Sequence, residues 1–220
     1  MRIQEQTMGF LKQLQVNNNR EWFQNEREQY DNALVNVKDY LTALIAELAK
    51  FDPHINTDIQ ASRCLFRIYR DTRFAKDKTP YKTWFAAGIS IDGRKLEGPE
   101  YYFHIEPGKS FIAAGYWRPG KAHLEAIRQE IDYNRRDLDK ALKQGGWRVA
   151  DISSEDKLKR PPAGYTADDP NIELLKLKSF ILYQPIGDAE LCAAHSVAHV
   201  VSFASRFYPF KDYIHQALDQ

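Results

Sequence analysis

The chain has 220 residues, 43% of them hydrophobic and 28% charged, with a formal net charge of +1. That excludes disordered and fibrous classes, suits a single domain over residues 1–220, and argues against a nucleic-acid coat protein, whose charge would be strongly positive. No apolar run reaches the roughly 20 residues of a spanning helix, the N-terminus lacks a signal-peptide core, and Cys64 and Cys192 make no C-x-x-C pair, so the expectation is a cytoplasmic, reduced protein with no membrane partner.

In chain order, Thr7 is expected to cap a short helix carrying Phe10, Leu11 and Leu14, and Asn17 to Asn19 to end it and cap the next. Trp22, Phe23, Tyr30, Ala33, Val37, Leu41, Leu44 and Leu48 recur at three- and four-residue spacing. This predicts one long helix, with Trp22 and Phe23 in the core and Asp52-Pro53 as its stop. The helical part thus covers 7–52.

The period changes to two over 64–117. Strands are expected at Cys64–Tyr69, Thr83–Ile91, Tyr101–Glu106 and Ser110–Trp117. Pro107-Gly108 makes the last pair an antiparallel hairpin with a turn other than type I′, because proline cannot take positive φ. The register is then open by one residue, and either Tyr101, Phe103 and Ile105 or Tyr102, His104 and Glu106 face the core.

Residues 119–220 return to helical patterning. Pro119 suits a first helical position, with Leu124, Ile127, Ile131, Leu138 and Leu142 on one face. Asp132 to Asn134 interrupt that helix and Gly145-Gly146 end it. A loop over 151–169 and a short helix to Leu175 follow. An added strand is expected at 178–186, then an alanine-rich helix over 188–207, which Pro209 kinks or restarts. The fold class is α+β: an antiparallel sheet of about four to five strands covered by the long N-terminal helix and C-terminal helices.

The densest feature is Arg63 to Lys82. Seven cations stand there against Asp71 and Asp77, net +5 in a chain of net +1. Such an excess attracts anions, and arginine grips carboxylate or phosphate through two parallel hydrogen bonds. If the strand ends near Tyr69, then Arg70, Arg73, Lys76, Lys78 and Lys82 converge around a loop. The opposing expectation is that Asp71 and Asp77 pair internally and fasten that loop.

Three blocks carry a resemblance. They are F-L-K-Q-L-Q-V-N-N-N-R-E-W-F at 10–23, F-R-I-Y-R-D-T-R-F-A-K-D-K-T-P-Y-K at 66–82 and Y-Y-F-H-I-E-P-G-K-S-F-I-A-A-G-Y-W-R-P at 101–119. With weaker likeness at 158–165 and 174–178, the chain resembles domain-of-unknown-function family 2461 over most of its length. That resemblance implies no activity, cofactor or catalytic residue, so the cofactor stays unknown.

Further groups come from the residues themselves. Arg118 and Lys121 flank a helix start, where free N–H groups favour phosphate or carboxylate. His104 and Glu106, two apart on one strand face, suit proton transfer. Cys192, His195 and His199 share a helix face, but the outer two lie roughly 10 Å apart along the axis, so no metal is assigned. Tyr81, Trp84, Tyr116 and Trp117 offer stacking surfaces. Standard nucleotide loops and the serine-hydrolase elbow are absent from the sequence.

The sequence therefore favours an enzyme or sensor for a small phosphorylated or carboxylated ligand. Arg70, Arg73, Lys78, Lys82 and Arg118 hold its charge, and His104 and Glu106 move protons. The alternatives are a non-catalytic module docking an acidic protein or a nucleic-acid backbone, and a purely structural ion-pair network.

Overall fold

The computed structural model describes residues 1–219. The helices are α1 (Glu5–Val16), α2 (Arg20–Asn25), α3 (Arg27–Leu48), α4 (Ala61–Cys64), α5 (Lys121–Tyr133), α6 (Arg135–Gln144), α7 (Ile172–Leu175), α8 (Asp188–Cys192) and α9 (Ser196–Leu218). The strands β1 (Phe85–Ile89), β2 (Glu100–Ile105), β3 (Phe111–Tyr116) and β4 (Phe180–Pro185) form one antiparallel sheet in the order β1-β2-β3-β4. This is the expected α+β class, and β4 is the added strand. The chain divides into two compact units: Met1–Lys95 with Tyr102–Ile112 and Gln184–Ser202, and Leu96–Tyr101 with Ala113–Tyr183 and Phe203–Gln220.

In the first unit α1 is not capped by Thr7, which lies inside it. Buried Asn36 of α3 takes that role: its Oδ1 accepts from the Gln4 N–H at 2.9 Å and from the Thr7 hydroxyl at 2.8 Å. A cap from 32 residues away is invisible to local pattern reading. Asn19 does cap α2, accepting from the Trp22 N–H at 2.9 Å.

The single long helix is instead α2 and α3, because Glu26 leaves helical geometry with φ −96° and ψ 20°. Phe23 is buried, packed 5.0 Å from Tyr30 and stacked 3.9 Å from Tyr81, whereas Trp22 is only half-buried against Phe10. The core expectation therefore holds for Phe23 and fails for Trp22.

The strand expected at Cys64–Tyr69 is not formed. Cys64 ends α4, and the extended segment after it pairs only through the isolated bridges Leu65 to Ala87 and Tyr69 to Tyr81. Backbone bonds link Phe66 to Ala86, Arg70 to Pro80 and Lys82 to Ile68. Pro80 has no N–H to return, so a continuous ladder cannot run through it.

The hairpin turn is type II: Pro107 is followed by Gly108 at φ 72°, and the Lys109 N–H donates to the Glu106 carbonyl at 2.9 Å. Tyr101, Phe103 and Ile105 are the buried set. Phe103 stacks on Tyr40 of α3 at 5.5 Å, so Tyr102, His104 and Glu106 occupy the other face. The helix expected at 188–207 breaks at Ala193, which has extended backbone; buried Ser196 then begins α9 with its hydroxyl 2.9 Å from the Tyr40 hydroxyl. Cys64 and Cys192 are not disulfide-bonded.

In the second unit α5 begins at Lys121 with Gly120 as its cap, so Pro119 precedes the helix. Buried Arg128 donates to the carbonyls of Leu175 and Leu177 at 2.7 and 3.2 Å, satisfying acceptors around the end of α7. Gly115 permits a close approach of β3 to β4. Its φ is 131°, and a Cβ there would lie 2.0 Å from the Phe180 carbonyl oxygen. Trp147 and Arg206 lock α6 to α9, the indole donating to the Arg206 carbonyl at 3.1 Å and the guanidinium to the Gly145 carbonyl at 3.1 Å.

Candidate functional site

The basic loop closes on itself before it closes on anything else. At its base the Arg70 N–H donates to the Pro80 carbonyl, and Tyr69 bridges Tyr81. Asp77 turns back to accept from the Thr79 N–H at 2.9 Å and from Arg70 Nη1 at 2.5 Å; Arg70 Nη1 also donates to the Thr79 hydroxyl. The Thr79 N–H, then Arg70, hold the Asp77 carboxyl down at about 2. Arg73 grips Asp71 with two bonds of 3.0 and 2.7 Å, which lowers the Asp71 pKa. Lys78 Nζ crosses the loop to the Thr72 carbonyl at 2.9 Å. Three of the expected anion-holding cations are thus engaged in shaping the loop. Phe74, at the loop's tip, is 95% exposed.

Lys82 differs. It faces a cleft of about 440 Å³ lined by Asn18, Arg70, Asp77, Thr79, Thr83 and Trp84, among others. Its Nζ sits 4.7 Å from the centre of the Trp84 ring and 5.6 Å from that of Phe66. No carboxylate among the described residues pairs with it. Burial, then the positive charges of Arg67 and Arg94, lower its pKa. Arg67 is exposed without an ion pair among the described residues, and Arg94 donates to the Arg63 carbonyl at 3.2 Å. Arg63 itself is paired with Asp92 at 2.7 Å.

Neither His104 nor Glu106 lines that cleft; the hairpin sets His104 next to it, behind Trp84. The His104 ring lies 4.9 Å from Trp84 and 4.8 Å from Phe111, and is 7% exposed. His104 Nε2 is 3.1 Å from Glu106 Oε2, and Nδ1 is 3.4 Å from the Tyr102 hydroxyl. Burial lowers the His104 pKa against the opposing pull of Glu106, which favours the neutral ring; with Nε2 donating to the Glu106 carboxylate, Nδ1 is the acceptor and faces the Tyr102 hydroxyl. Phe66 lies 6.0 Å from Tyr102, and Tyr102 lies 6.1 Å from His104. Lys82, Phe66, Tyr102, His104 and Trp84 therefore form a closed circuit of neighbours on the face of the hairpin opposite Tyr101, Phe103 and Ile105.

Arg118 lies in the second unit and makes its bonds there. Its φ is 48°, a left-handed conformation uncommon outside glycine. Its N–H donates to the Ser179 hydroxyl at 3.0 Å and its Nε to Asp156 at 2.9 Å. Lys178, then Arg118, lower the Asp156 pKa. His199 bonds Glu190 at 3.0 Å.

Sequence reasoning gave roles to Lys82, His104, Glu106 and Trp84; it counted Arg67 among the cations and set Tyr102 on the face of His104, but assigned no role to Arg67, Phe66, Tyr102 or Arg94. The signal for Phe66 and Tyr102 was their period-two spacing with Arg70 and His104. Arg94 follows Asp92-Gly93 and lies outside the 63–82 cluster of cations.

The model of a protein family described as Conserved hypothetical protein (DUF2461) matches residues 6–213. No curated protein and no solved structure matches the chain.

Proposed function

The chain belongs to the DUF2461 family, and from that premise we propose that it binds a small phosphorylated or carboxylated ligand at Lys82, with His104 and Glu106 as the proton-transfer pair. One observation carries this reading: Lys82 is a half-buried cation facing a cleft, Arg67 and Arg94 disfavour its charge, and among the described residues no carboxylate forms an ion pair with it, the cleft's Asp71 and Asp77 being paired with Arg73 and Arg70. Structural lysines are usually paired or solvated. An anion entering the cleft restores the missing countercharge and relieves the repulsion from Arg67 and Arg94. His104, which adjoins the cleft through Trp84, is the general base of this reading, and Glu106 stabilises the imidazolium that forms. Arg70 lines the cleft with its charge taken up by Asp77, and Arg70, Arg73 and Lys78 act indirectly by shaping the loop. Arg118 is assigned no role in this cleft.

The test is thermal denaturation against inorganic phosphate at constant ionic strength, since binding to the folded state alone raises the melting temperature by mass action. Wild type should respond, Lys82→Met should not, and Arg73→Ala with Lys78→Ala should keep the response. A wild type unmoved by millimolar phosphate, and by citrate as a carboxylate probe, would remove the reading.

A further inference from the structure

The circuit around Lys82 contains more ring surface than a bare phosphate can use. Phe66, Trp84 and Tyr102 are half-buried, and Phe111, also half-buried, packs on Tyr102 and His104 at 5.7 and 4.8 Å. These rings lie on the hairpin face opposite the buried Tyr101, Phe103 and Ile105. A small anion on Lys82 leaves them wet, at the usual cost of exposed apolar area. A ligand carrying a flat ring one group away from its phosphate would cover them while keeping its charge on the cation.

Building on the Lys82 site proposed above, we infer that the ligand is a nucleoside phosphate: the phosphate at Lys82, with Arg67 and Arg94 adding field, and the base against the half-exposed rings. Aromatic side chains interleaved with cations on an open sheet face are the usual platform for bases, because every base has a π-face to stack. In the cleft Thr83 offers a ribose the hydroxyl that a simple aryl phosphate would not need, whereas Asn18 is held by the Tyr81 backbone and Thr79 by Arg70 and Asp77. The same chemistry is presented by a free nucleotide and by a nucleotide within a single strand.

Isothermal titration at constant ionic strength separates these cases, using ribose 5-phosphate, adenosine 5′-monophosphate, phenyl phosphate and a single-stranded oligothymidylate as probes. The nucleotide should bind about ten-fold tighter than ribose 5-phosphate, the size of one base–aromatic stack. Trp84→Leu and, separately, Tyr102→Leu should erase that advantage and leave ribose 5-phosphate binding in place. Retained ribose 5-phosphate binding also shows that each variant is folded, and Lys82→Met should weaken all four probes. If the oligonucleotide binds tighter than the mononucleotide, with a steeper salt dependence, the source is a strand; if not, it is a free nucleotide. Either result supports the class. Equal affinity for ribose 5-phosphate and the nucleotide overturns the inference while the anion site stands, and phenyl phosphate matching the nucleotide overturns the nucleoside assignment. No binding of any probe removes both proposals.

Discussion

Lys82 Nζ stands 4.7 Å above the Trp84 ring, and burial together with Arg67 and Arg94 disfavours its charge. The ring offsets part of that cost, since a cation–π contact contributes about 0.5–2 kcal/mol. In anion-free buffer Lys82→Met should therefore leave stability unchanged or raise it by up to about 1 kcal/mol. Urea denaturation checks this. A loss of more than about 2 kcal/mol would mean that the lysine is a structural element of the hairpin face.

The loop between Arg70 and Thr79 should depend on Asp77. Its pKa, held at about 2, lies below the unfolded value, so its contribution is present above about pH 4 and is lost as pH falls toward 2. Trypsin reports the opening directly, because Arg73, Lys76 and Lys78 are its sites. Arg70→Ala should speed cleavage there several-fold at pH 8 while shifting the melting point only slightly. Cleavage at the wild-type rate would show that the backbone bridges alone hold the loop.

Asn36→Ala should cost about 2 kcal/mol. It removes the cap of α1 and strands the buried Thr7 hydroxyl, and either loss alone is in the range of about 1–2 kcal/mol. Thr7→Ala in the Asn36→Ala background should cost little more, because the bond is already gone. Additive losses would mean that the two groups act independently.

Burial pushes the Glu100 carboxyl up to about 7. A carboxyl raised in the folded state keeps its proton between about pH 4.5 and 7 while the unfolded chain has lost it, so stability falls as pH rises through that window. Glu100→Gln should flatten this segment of the profile and stabilise the protein at pH 8 by up to about 3 kcal/mol, taking 1.36 kcal/mol per pKa unit as the ceiling. A pH profile identical to wild type would place Glu100 in water.

Two glycines at positive φ should respond differently to alanine. Gly108 turns in open space, and its replacement should cost about 1 kcal/mol of left-handed strain. Gly115→Ala drives a Cβ into the Phe180 carbonyl as well, and should cost at least about 3 kcal/mol or prevent folding. Comparable melting points for the two variants would contradict the close β3–β4 approach.

What the sequence determined by itself was whatever depends on near neighbours. The three- and four-residue spacing from Tyr30 to Leu48 is a helix because side chains that far apart share a face. Pro107-Gly108 is a turn because proline fixes one φ and glycine permits the next. The excess of cations in 63–82 was likewise legible, since charge can be counted without a fold.

Tertiary structure decided what distance decides. Composition could not separate Arg73, whose charge is taken up by Asp71 two residues away, from Lys82, which has no ion pair among the described residues. The hairpin register settled that Tyr102 and His104 share a face with Lys82, because shifting a strand by one residue exchanges its two faces. The cap on α1 came from Asn36, and the wall of the cleft from Asn18, Arg70 and Trp84 together. Electrostatic and hydrogen-bonding partnerships act over a few ångströms of space, and only the folded chain brings residues 18, 70 and 84 within that range.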